Sequence, residues 1–174
     1  EFNGMEFWLQ LGNGLIITGA DTLSNSTGFI PGSGSESVVE GTRLADLVRS
    51  LTTGDGPQTT GCVINSSGNP IVNGPHGSWS SGFTFTAGDT NHENAVADNG
   101  RGAERVASVG NRAKLIYSEP STGGAVLFWN GNTDLADWDE TQSPDMSAML
   151  RNAIHSMNLG CAVLQGGDCN DNDA

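Results

Sequence analysis

The chain has 174 residues, 36% of them hydrophobic and 16% charged, with 25 glycines; that is enough apolar mass for one core and too little charge for a disordered chain. Seven Lys and Arg against 20 Asp and Glu leave a formal charge of −13, which argues against nucleic acid as a partner, because phosphate binding rests on basic side chains. No apolar run approaches the roughly 18 residues of a membrane span, so no membrane insertion is expected.

The start, Glu1-Phe2-Asn3-Gly4, has no Met and no signal peptide and reads as a processed or truncated end. Residues 5–12 read as the end of a helix stopped by Gly12. Leu15-Ile16-Ile17 is a continuous apolar run, the pattern of a strand covered on both faces. Asp21 lies in the turn that follows. A Ser/Gly/Asn loop fills 24–37, and apolar positions at helical spacing (Val38, Val39, Leu44, Leu47, Val48, Leu51) predict a helix over 38–51.

Between 52 and 102 the pattern is mostly irregular, with a short strand at Cys62-Val63-Ile64 and an alternating run at Phe83-Thr84-Phe85-Thr86. Long low-order stretches are where ligand sites concentrate, and this one holds His76, Asp89, His92 and Glu93. Order returns at 103–108 and 113–117, then at Gly124-Ala125-Val126-Leu127-Phe128-Trp129. An acidic loop over 134–139 follows, and then a helix over 144–157, with Ser143 as its cap and Pro144 in the first position.

The tail separates by composition, dividing the chain into 1–160 and an acidic Gly/Asp/Asn-rich segment, 161–174. Cys161 and Cys169 could close a small disulfide loop, which would favour an oxidising compartment. Asp168, Asp171 and Asp173 alternate with Asn in a run that resembles the opening of Asp/Asn-rich calcium-binding repeats, so Ca2+ is the one cofactor considered, with these residues as its ligands. Neighbouring domains of a larger surface protein, in an extracellular or periplasmic setting, are then expected.

Taken in order, Leu11 to Asp21, Asn69 to Gly74, Gly123 to Asn132 and Met149 to Ile154 resemble the second half of a class I glutamine amidotransferase-like domain. The resemblance implies an α/β fold: a mostly parallel, doubly wound, flavodoxin-like sheet with helices on both faces. That sheet would be incomplete at its N-terminus unless a second copy or another chain completes it. It also implies a pseudoenzyme, since Ala20 or Asp21 stands where that family carries its nucleophilic Cys, and Trp129 and Gly131 stand where it carries His and Glu.

The candidate ligand-binding residues are therefore Asp21, His76, His92, Glu93, Trp129, Asn130 and Asp134, with no catalytic assignment. The expected function is a non-catalytic scaffold or ligand-binding domain of a secreted or cell-surface protein. The alternatives are a hydrolase using His92, Glu93 or the acidic loop, and a calcium-dependent structural domain.

Overall fold

The computed structural model describes residues 7–19, 45–52, 54–88, 90–119, 123–131, 140–141 and 143–157. Its centre is a six-stranded sheet. In chain order the strands are β1 (Leu15–Gly19), β3 (Gly61–Ile64), β6 (Thr84–Thr86), β8 (Ala103–Val109), β9 (Arg112–Ser118) and β10 (Val126–Asn130). They lie in the order β1-β10-β9-β8-β3-β6. Two ribbons stand beside it, β2 (Asp55–Gln58) with β7 (Asn91–Glu93), and β4 (Asn73–Gly74) with β5 (Gly77–Ser78). The long helix α1 spans Pro144–Ser156, and shorter helical segments occur at 7–10 and 45–47. Among the described residues no helix is long and apolar enough to cross a membrane.

This corrects the expected fold. β1 and β10 are parallel neighbours, Leu15 opposite Val126 through Gly19 opposite Asn130, but every other pairing in the sheet is antiparallel. The molecule is mostly β, so the flavodoxin-like arrangement and the amidotransferase resemblance built on it do not hold. The reason is physical. An apolar run such as Leu127-Phe128-Trp129 reports burial on both faces, and burial on both faces does not fix the direction of the neighbouring strand. β8 and β9 are joined by the two-residue turn Gly110–Asn111, with Val109 opposite Arg112. Gly110 sits at φ +54°, the conformation that tight hairpin turns ask of glycine. A two-residue connection of this kind can only join antiparallel strands.

The stretch expected to be irregular, 52–102, contains β2 to β7. These strands are two to four residues long and carry Gly, Pro, Thr and Asn, too short and too polar to show a period of two. At the helix α1, Pro144 does occupy the first turn, but Ser143 makes no side-chain cap bond.

Both faces of the sheet are covered. β10 alternates between them: Leu127 and Trp129 enter one core, Val126 and Phe128 the other, as the pleat requires. The first core is roofed by Met146, Met149 and Ala153 of α1 with Ile71 and Val72. Asn152, fully buried, locks this roof: it accepts from the His76 backbone N–H at 2.9 Å and donates to the carbonyls of Ile71 at 3.2 Å and Gly77 at 3.0 Å. Trp79 adds a bond from Nε1 to Asp145 Oδ1 at 2.8 Å. The second core is closed by Leu9, Ala45, Val48, Ala95 and Ala97 against Phe128 and Ile116.

Trp129, expected as a ligand contact, has no exposed surface and belongs to the first core. Trp129→Ala is expected to lower the unfolding free energy by about 3–5 kcal/mol, the cost of a large aromatic cavity, read from the urea midpoint with an unchanged slope.

Candidate functional site

Three of the residues singled out in the sequence come together where β7, β9 and β10 meet. His92, Glu93 and Asn130 are all fully buried. Asn130 follows Trp129 and so takes the second face of β10, where its carboxamide spans three backbone groups. Oδ1 accepts from the Glu93 N–H at 2.7 Å, and Nδ2 donates to the carbonyls of Glu93 at 2.9 Å and Ala113 at 2.6 Å. An amide is the side chain that can do this, because it offers an acceptor and two donors in one plane.

Lys114 completes the cluster and was not anticipated. In the β8–β9 register Ala113 faces Ser108 and Leu115 faces Ala107, leaving Lys114 as an extra residue in a bulge. The bulge shifts the phase of β9, so that Ala113 lies in the second core while Leu115 and Tyr117 lie in the first. Lys114 is fully buried, its Nζ 3.3 Å from His92 Nε2. His92 Nδ1 lies 3.0 Å from the Thr90 carbonyl. A carbonyl can only accept, so Nδ1 carries the hydrogen, leaving Nε2 to accept from a Lys114 Nζ–H.

Gly131 closes the other side at φ +112°. A Cβ there would lie 3.0 Å from Lys114 Nζ and 3.1 Å from the His92 ring. The signal for this cluster in the sequence was one charged residue inside an apolar run, Ala113-Lys114-Leu115-Ile116-Tyr117. Its atoms are turned on one another, which makes it a polar knot holding three strands.

The other candidates are scattered. His76 is exposed, its ring edge-on to His155 with centroids 6.3 Å apart. Asp21, Asp134, Asp168, Asp171, Asp173, Cys161 and Cys169 lie outside the described residues. Among the described residues no group of three or more His, Cys, Asp or Glu is placed to hold a metal ion. Cys62 is buried in the first core, its Sγ 3.5 Å from the Thr60 carbonyl.

Two open clefts flank β8, one on each face, because consecutive strand residues point to opposite sides. Glu104 faces Tyr117 and Arg105 faces Ile116, and these partners belong to the first and second cores. The Glu104 cleft, about 470 Å³, is bordered by Asn69, Tyr117 and Glu119. Its carboxylates, its amide and its phenol are already engaged, although Ser118 Oγ, also at its border, is buried without a hydrogen-bond partner. Glu104 accepts from the Ser66 hydroxyl and from Asn69 Nδ2, the latter at 2.6 Å, and the Tyr117 hydroxyl donates to Glu119 at 2.6 Å. Burial, the Glu119 hydrogen bond and the charges of Glu119 and Glu104 together hold the Tyr117 phenol well above its usual range.

The Arg105 cleft, about 340 Å³, differs in kind. Asn65, Asn99, Arg105 and Asn111 surround a floor that includes Ala95 and Ala113. Asn65 Oδ1 is buried and has no hydrogen-bond partner. Arg105 is exposed and makes no ion pair with any described residue. Neither signal was visible in the sequence, since Asn65, just past the end of β3, and Arg105 of β8 lie forty residues apart and are brought together by the pairing of those two strands.

Two outcomes follow from this geometry. Asn130→Ala leaves the Glu93 N–H and the Ala113 carbonyl without this partner, while the Glu93 carbonyl keeps the Ala95 N–H at 2.8 Å. It is expected to destabilise the protein by about 2–6 kcal/mol, at about 1–3 kcal/mol for each of the two groups; a loss under about 1 kcal/mol in urea unfolding would show that the amide is dispensable. Tyr117 is the chain's one tyrosine, so ultraviolet titration reads it alone. The unfolded chain releases the phenolic proton near pH 10 and the folded chain does so later. This contribution to stability is therefore fully present below about pH 10 and is lost as pH rises above it. Phenolate absorbance should appear together with loss of the fold, and Tyr117→Phe should abolish the signal.

Comparison with known proteins adds little to this picture. No family model and no curated protein matches the chain. A solved cytoplasmic protein of Salmonella typhimurium LT2, STM1381, is similar in structure, with 13% sequence identity and a TM-score of 0.48, over 87% of this chain and 58% of that one. This chain thus spans a little over half the length of that protein. The expectation of a secreted protein in an extracellular or periplasmic location is withdrawn, because the residues on which the secreted and calcium readings rested lie outside the described ones.

Proposed function

We propose that this domain is a non-catalytic binding module that takes a small, hydroxyl-bearing polar ligand in the Arg105 cleft. One observation carries the reading: Asn65 Oδ1 is buried at the cleft without a partner. Buried polar atoms are almost always satisfied in folded proteins, and leaving one unmet costs about 1–3 kcal/mol. Oδ1 has almost no accessible surface, so a small turn of the Asn65 amide toward the cleft would let a ligand O–H or N–H recover that cost on binding.

The remaining lining supports the same reading. Asn99 and Asn111 are exposed amides, each offering donors and an acceptor to neighbouring hydroxyls. The cleft volume falls at the small end of the range for ligand sites. In the Glu104 cleft Glu104, Asn69, Tyr117 and Glu119 are bonded to neighbours, and the buried, unmet Ser118 Oγ there has no cationic side chain among the cleft's lining residues, whereas Asn65 shares its cleft with Arg105. His92, the base that a hydrolytic reading would need, has no exposed surface.

The test is an amide-resolved NMR titration of the whole chain with D-glucuronate. Shifts are expected at Asn65, Ala95, Ala97, Arg105, Asn111 and Ala113, and Asn65→Leu should remove them while keeping the melting temperature. Shifts confined to residues outside this cleft, or none at all, would overturn the reading.

A further inference from the structure

We infer, resting on the binding reading above, that the ligand of this cleft carries a single carboxylate held by Arg105, together with an O–H or N–H donor for Asn65. The chain is strongly acidic, with 20 carboxylates to 7 basic residues, and two of its other described arginines sit on carboxylates. Arg101 pairs with Asp46 and Arg151 with Glu140, while Arg49 bonds the Arg101 carbonyl and Arg112, like Arg105, pairs with no described carboxylate. Arg105 pairs with no described residue although it is exposed at the edge of a cleft.

The geometry explains how it escapes. Its neighbour in sequence, Glu104, is turned to the opposite face of β8, where it binds Ser66 and Asn69. The described residues lining the Arg105 cleft include no Asp or Glu. A guanidinium offers a planar fork of donors that matches a carboxylate's two oxygens, and such paired, charge-assisted bonds are among the stronger ones in water.

The rest of the site narrows the class. Asn65 Oδ1 can only accept, so a bare anion such as acetate leaves it unmet. The net charge of −13 repels polyanions, leaving one local positive group to select one negative one. A hydroxy-acid or amino-acid ligand satisfies both ends, its carboxylate on Arg105 and its donor on Asn65, with Asn99 and Asn111 free to bond further hydroxyls.

Titration of the whole chain with D-glucuronate, D-glucose and acetate separates the terms. D-glucuronate is expected to bind about ten-fold more tightly than either of the others, the size of one charge-assisted contact. Arg105→Gln should erase the preference over D-glucose, and Arg105→Lys should restore part of it. Arg105 is exposed, so both variants should keep the wild-type melting temperature. Asn65→Leu should bring D-glucuronate down to the level of acetate. Equal binding of D-glucose and D-glucuronate, or a preference that survives Arg105→Gln, overturns the carboxylate inference and leaves the cleft reading standing. Binding of none of the three at this cleft overturns both.

Discussion

The carboxamide of Asn130 is the point on which this structure turns. β10 is the one strand that joins the parallel edge of the sheet to its antiparallel body, and its end is where the β2–β7 ribbon docks. A strand ribbon brings unsatisfied backbone groups with it, and burying them is tolerable only if each finds a partner. Asn130 meets Glu93 through both its N–H and its carbonyl and meets Ala113 through its carbonyl, so one side chain fixes the ribbon, β9 and β10 to each other. Lys114, His92 and Gly131 then fit around that junction. The bulge supplies the lysine, the imidazole accepts from it, and the glycine leaves the room that both need.

Seen from that junction, chemical richness and functional availability are different properties. The knot gathers His92, Glu93 and Lys114, fully buried, and the hydrogen bonds of Asn130 there hold strands together. In the Glu104 cleft two carboxylates, a phenol and an amide are each engaged with a neighbour, and the buried Ser118 Oγ is the group left unmet. The Arg105 cleft has the plainest composition, yet it holds a buried acceptor without a donor and an arginine that pairs with no described carboxylate. In a folded protein an unmet polar group is a cost, and a cost located at an open cleft is what a ligand can relieve.

The distribution of charge sharpens this. An excess of acid repels most anions, which suits a site meant to admit only a small, singly charged one. The alternation of β8 makes the separation possible. Consecutive residues of opposite charge, Glu104 and Arg105, are sent to opposite faces of one sheet, and so they do not neutralise each other across their own strand.

How much of this could be read from the chain alone differs from element to element. The apolar runs at 15–17 and 124–129 located β1 and β10, the alternation at 83–86 located β6, and the periodicity after Pro144 located α1, because these patterns record burial and burial is a local consequence of side-chain type. His92, Glu93 and Asn130 stood out as polar residues near ordered segments, and the fold does gather them, though as a structural knot. The residues of the sequence therefore determined which segments are buried, how acidic the surface is, and where the long helix runs. Strand direction, the bulge that turns Lys114 inward and the meeting of Asn65 with Arg105 were decided only by the tertiary structure. Each depends on which strand lies beside which, and that choice is made by contacts between residues far apart in the chain, which no local pattern encodes.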